Sequence, residues 1–109
     1  FDWAGVLDTF LGQAETVVSL LGRFEAKAKG QILDLEKALG AGQAEEVRET
    51  AHSIKGAAWN LSAKRLGNAA LVLETAGREA NIEAALQGLP GLKAAFSEFQ
   101  NAIAQHLGP

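Results

Sequence analysis

The sequence contains no cysteine, no methionine and no tyrosine, and only two prolines in 109 residues. Without cysteine there can be no disulfide and no thiolate metal site, which accords with an expected cytoplasmic location. The formal net charge of −3 supplies no basic footprint for nucleic acid, so no nucleic-acid partner is expected. No apolar run approaches the roughly 20 residues that span a bilayer, and no membrane contact is expected. Phe1-Asp2-Trp3 carries no basic region of the kind that opens a signal peptide, and the lack of methionine suggests a piece of something longer. Aromatic residues are sparse at 6%, and β-branched residues are few. What remains is rich in Ala, Leu, Glu, Gln and Lys, which favour helix. The composition therefore predicts an all-α protein, and the length predicts one domain covering residues 1–109.

Apolar residues recur every three or four positions along most of the chain, the period of a helix with one buried face. Asp2 is the expected N-cap of a short helix over 3–11 whose apolar face holds Val6, Leu7, Phe10 and Leu11. Val17, Leu21, Phe24, Ala28, Ile32, Leu35 and Leu39 mark a long helix over 14–39, closed by Gly40-Ala41-Gly42. A third helix over 43–61 has Val47, Ala51, Ile54, Ala58 and Leu61 inward. Ser62 is the expected N-cap of a fourth helix over 63–80, with Leu66, Ala70, Leu73 and Gly77 inward. A last helix over 82–107 carries Leu92, Phe96, Phe99, Ile103 and Leu107, with Gly88 and Pro90 expected to kink or interrupt it. Short turns between long helices predict an up-down antiparallel four-helix bundle with a short additional N-terminal helix.

His52 does not belong to the third helix's apolar stripe. At 100° per residue it lies roughly 140° from the centre of that stripe, which places it on the solvent side. Its helical neighbours are Arg48, Lys55, Gly56 and Trp59. An exposed imidazole offers a nucleophilic ring nitrogen. Lys55, one turn on, brings an ammonium to any anion attached to that ring, and Arg48 adds positive potential. Gly56 in mid-helix costs about 1 kcal/mol against alanine. Either it clears space beside the imidazole or it serves helix packing. No set of residues has the spacing of a metal site, and no glycine-rich loop would hold a nucleotide. His106, near the end of the last helix, is assigned no function.

Ala51-His52-Ser53-Ile54-Lys55-Gly56-Ala57-Ala58 resembles the signature of histidine phosphotransfer domains. The likeness extends to the Gly-rich turn after the second helix and to Ala63, Leu66, Leu73 and Glu74 on the fourth. It implies that His52 is phosphorylated through Nε2, that Lys55 stabilises the phosphoryl oxygens, and that Gly56 leaves them room. It further implies that Glu74 accepts a hydrogen bond from His52 Nδ1–H; taken alone, Glu74 would read as a solvated helix carboxylate. Two positions depart from the family: Ser62, where Gly is common, and Trp59, where a small residue is usual. Trp59 either shapes a docking surface or packs inward against the first helix.

The implied function is reversible transfer between His52 and an aspartate of a response-regulator receiver domain, in a two-component phosphorelay. The domain would act as a phosphocarrier without autokinase activity. It would need no cofactor of its own, Mg²⁺ being expected on the receiver. Docking is expected around Arg48, Trp59, Leu71 and Arg78, with Leu7 and Leu11 as further candidates for which core packing is the favoured reading. A monomer is expected, and a hybrid sensor histidine kinase is one possible host. Two alternatives remain: a non-catalytic bundle that docks or sequesters a receiver, and a purely structural bundle.

Overall fold

The helical periods become five helices in the computed structural model, which describes the backbone of residues 2–10 and 12–107 and side chains as far as 105. They are α1 (Trp3–Thr9), α2 (Ala14–Gly40), α3 (Ala44–Asn60), α4 (Lys64–Arg78) and α5 (Ile82–Leu107). α2 and α5, with 27 and 26 residues, run nearly the whole 42 Å length of the molecule. α2 packs on α3, α3 on α4, α4 on α5, and α5 back on α2, closing a four-helix bundle to which α1 is added against α2.

The expected apolar stripes line the interior. Every side chain named for α2 and α3 is buried, as are Leu66, Ala70 and Leu73 of α4 and Leu92, Phe96, Phe99 and Ile103 of α5. Phe24 meets Phe99 edge to face at 5.3 Å, tying α2 to α5. In α1, Val6 is buried and Leu7 packs partly buried against the same core, as does Phe10 just beyond the helix. Leu11 lies outside the described residues, as does the side chain of Leu107.

Three turns share one geometry. After α2, Gln43 N–H donates to Ala38 O and Gly42 N–H to Leu39 O. After α3, Ala63 donates to Ala58 O and Ser62 to Trp59 O; after α4, Asn81 donates to Ala76 O and Ala80 to Gly77 O. Each is a Schellman cap whose C′ residue adopts a left-handed backbone. Gly42 does so at no steric cost with φ 69°, whereas Ser62 at φ 57° and Ala80 at φ 54° carry a Cβ. Ser62 is therefore not the N-cap expected from its hydroxyl. It terminates α3, and Ala63, which makes no side-chain cap, precedes α4. Asp2 and Asn81 are side-chain caps, accepting from Gly5 N–H and Ala84 N–H at 3.0 Å each.

α1 stops at Thr9, two residues short of the expected end, and α5 continues through Gly88 and Pro90 without interruption. Pro90 removes one backbone donor, but it lies on an exposed face where water can satisfy the carbonyl left behind. Gly88 is where α5 rests on Val72 and Leu73, and a Cβ there would stand 3.1 Å from Val72 Cγ1.

Candidate functional site

α3 and α4 approach closely where Gly77 faces the backbone of α3. A Cβ on Gly77 would lie 2.7 Å from Arg48 N and 2.9 Å from Ala44 O, so only glycine permits this separation. The close approach sets Glu74, one turn before Gly77, beside the outward residues of α3. Glu74 is buried, with 1% of its surface exposed, and is the one buried charged residue among those described.

Burial by itself raises a carboxyl's proton affinity. Here the neighbouring Lys55 ammonium and the His52 ring outweigh it, and the Glu74 carboxyl is held below its ordinary value. Lys55 Nζ lies 2.5 Å from Oε1, an ion pair, and Oε1 has no aligned hydrogen bond among the described residues. His52 Nδ1 lies 2.7 Å from Oε2, and Arg78 Nη2 donates to the same oxygen at 3.2 Å. The ionised carboxylate can only accept, so the ring proton belongs on Nδ1 and the lone pair of the neutral imidazole on Nε2.

The His52 side chain is 62% exposed although Nδ1 is tied down. A Cβ at Gly56, one turn further along α3, would meet nothing within 4 Å, so the space beside the imidazole is open. Gly56 is thus unlike Gly67 and Gly77, which are closed by neighbours. Lys55 is mostly covered. Its ammonium sits between Glu74 and the Trp59 indole, 5.3 Å above the ring centroid. In this state the Lys55 charge is directed at Glu74.

The residues expected at the rim are placed unequally. Arg48 is engaged on its own helix, with Nε at 3.1 and 3.0 Å from the two Glu45 carboxylate oxygens and Nη2 at 2.5 Å from Oε1. Arg78 is exposed beyond its bond to Glu74. Leu71 is 36% exposed and Trp59 44% exposed. Trp59, read as either docking surface or packing for the first helix, keeps its indole partly exposed. It lies over α4 at Gly67, where a Cβ would overlap indole Cδ1 and Nε1. Leu7 belongs with the core-packed residues, and the side chain of His106 lies outside the described residues.

Sequence reasoning did not find Gly67, nor the pairing of Arg78 with Glu74. The spacing of Gly67, Leu71, Glu74 and Arg78 as one ridge of α4 was the available signal, but only its partner helix gives that ridge a meaning. Among the described residues, no group of three or more His, Asp or Glu side chains could hold a metal ion, and no helix is long and apolar enough to cross a membrane.

A helical bundle presenting one exposed imidazole, hydrogen-bonded from behind by a buried carboxylate, defines a class of histidine-bearing phosphotransfer domains. The sequence model of the Hpt domain family matches residues 19–102, and the chain belongs to that family. Its structure is similar to the crystal structure of histidine-containing phosphotransfer protein B from Pseudomonas aeruginosa. The TM-score is 0.89 at 25% sequence identity, over 96% of this chain and 91% of that one. No curated protein sequence matches it. Histidine phosphotransfer in a phosphorelay is the function that these likenesses support, and Hpt domains work there with receiver domains.

Proposed function

We propose that His52 is the phosphorylated residue, and that the 109 residues form one phosphocarrier domain taking a phosphoryl group from a receiver aspartate and passing it to another. The observation that carries this reading is the pairing of an exposed His52 ring with a buried acceptor on its far side, at 2.7 Å.

The Nε2 lone pair forms the new N–P bond as the P–O bond to the receiver's aspartate breaks, and the bonding pair leaves with that carboxylate. The transition state is loose, so positioning and charge neutralisation dominate. The ring keeps its proton at Nδ1 and becomes cationic, and Glu74 offsets that charge. The open position at Gly56 leaves room for the phosphoryl oxygens. Lys55 keeps a positive charge one turn from the ring. Mg²⁺ belongs to the receiver and no cofactor to this chain. Arg48, Trp59, Leu71 and Arg78 form the docking rim. The domain acts as a monomer, in the cytoplasm, without autokinase activity.

The test is transfer from a panel of receiver domains phosphorylated on aspartate. Acid-labile, base-stable phosphate must reach the wild-type chain and must be absent from His52→Gln. Binding of a phosphorylated receiver with no transfer would establish the sequestering bundle instead.

A further inference from the structure

Trp59 follows His52 by seven residues, so it points to nearly the same side of α3, about 10 Å further along the axis. A large aromatic side chain in a water-facing position normally finds cover within its own chain. The Trp59 indole is only partly covered, by Gly67 at its Cδ1–Nε1 edge and by the Lys55 ammonium over its ring. The slot beneath it exists because Gly67, itself buried, has no Cβ. The residue as a whole remains 44% exposed.

Around it the surface is continuous. Leu71, one turn from Gly67 on the same ridge of α4, is 36% exposed. The Lys55 ammonium stands over the indole, and the exposed Arg78 guanidinium closes the far end of the ridge. The result is an apolar step beside His52, edged by the exposed Arg78 and by the largely covered Lys55, both of which also pair with Glu74. Its chemical complement is an apolar surface bordering a cluster of carboxylates.

We propose that Trp59, seated on Gly67, is the specificity-determining anchor for the receiver. It inserts against the apolar margin of the receiver's acidic phosphoacceptor pocket and selects receivers that offer such a margin. The inference rests on the phosphocarrier reading and adds to it the residue that chooses the partner. Trp59 contributes affinity at the encounter and takes no part in bond making. Buried aromatic anchors of this kind dominate small transient interfaces.

The experiment uses the receiver that transfers to the wild-type chain. Trp59→Ala is expected to raise KM for the phosphorylated receiver by roughly tenfold or more, with the loss in KM and not in kcat. Gly67→Ala, whose new Cβ displaces the indole, is expected to raise KM similarly, and the double variant to be no worse than Trp59→Ala alone. A KM within twofold of wild type, or a loss confined to kcat, overturns the inference. Circular dichroism checks the fold. Should Trp59→Ala not fold, Trp3→Phe makes Trp59 the sole tryptophan of the two, and receiver binding must then shift its emission. An unchanged spectrum on saturation overturns the proposal equally. If no receiver phosphorylates even the wild-type chain, and phosphoramidate, which donates to imidazole directly, does not label His52, the phosphocarrier reading itself has failed.

Discussion

Glu74 Oε2 receives both His52 Nδ1 and Arg78 Nη2, at 2.7 and 3.2 Å, while Oε1 faces Lys55. One buried carboxylate thus joins the ring to the cations of two helices. It is a structural element of the α3–α4 seam as much as a part of the site, and the two roles separate experimentally.

His52→Gln removes the nucleophile from an exposed position and leaves Glu74 with Lys55 and Arg78. Phosphotransfer is expected to vanish, with Tm changed by no more than about 4–8 °C, the shift that corresponds to about 1 kcal/mol in a domain of this size. Acid-labile phosphate and a thermal melt followed by circular dichroism check both halves. A variant that still accepts phosphate would place the nucleophile elsewhere.

The Glu74 carboxyl is depressed below 4.5 in the folded protein, the combined effect of burial, which opposes ionisation, and of Lys55 and His52, which favour it more strongly. Between the folded and unfolded values the unfolded chain binds more protons, so stability rises with pH there. The contribution is fully present above about pH 5 and is lost as pH falls through the folded value. Glu74→Gln keeps an acceptor for Nδ1 but removes this titration. The stability difference between wild type and Glu74→Gln, from urea unfolding, is expected to hold level from pH 6 to about pH 5 and to shrink as pH falls from there toward 3. A difference independent of pH would mean that the carboxylate charge contributes nothing.

Two glycines on facing helices should respond with opposite sign. Gly56→Ala adds a Cβ in open space and should raise stability by about 0.5–1 kcal/mol through helix propensity, while slowing transfer roughly tenfold or more by occupying the space left for the phosphoryl oxygens. Gly77→Ala places its Cβ against the Arg48 and Ala44 backbone and should destabilise by about 1–3 kcal/mol. Chemical denaturation and transfer rates measure both. A Gly56→Ala variant with unchanged transfer would leave Gly56 without a role at the site.

Ser62 and Ala80 occupy the left-handed position that Gly42 fills in the equivalent turn. Ser62→Gly and Ala80→Gly should each stabilise by about 0.5–1 kcal/mol, and additively, since α4 separates them. Loss of stability in either would show that its side chain makes a contact outweighing the backbone strain.

Much of the bundle was legible because burial leaves a periodic trace. The stripes of α2 and α3 can be assigned residue by residue, since a helix with one apolar side has one way to hide it. The outward direction of His52 followed from the same arithmetic, as the residue out of step with Val47, Ala51, Ile54 and Ala58. Ser62 misled because a hydroxyl before a helix suits an N-cap, while the hydrogen bonds of the preceding turn make it a left-handed terminator. Pro90 misled because its cost depends on whether water reaches the freed carbonyl, which a sequence does not record.

Sequence alone determined the helices, their inward faces and the exposed imidazole with its lysine and glycine, because these depend on residue order along one helix. Only the tertiary structure decided that Glu74 is buried and charged, that Lys55 turns toward it, and that Trp59 rests on Gly67. Each of those depends on the distance between α3 and α4, set by the absent Cβ of Gly77 against the Arg48 backbone, and no period within either helix encodes that distance.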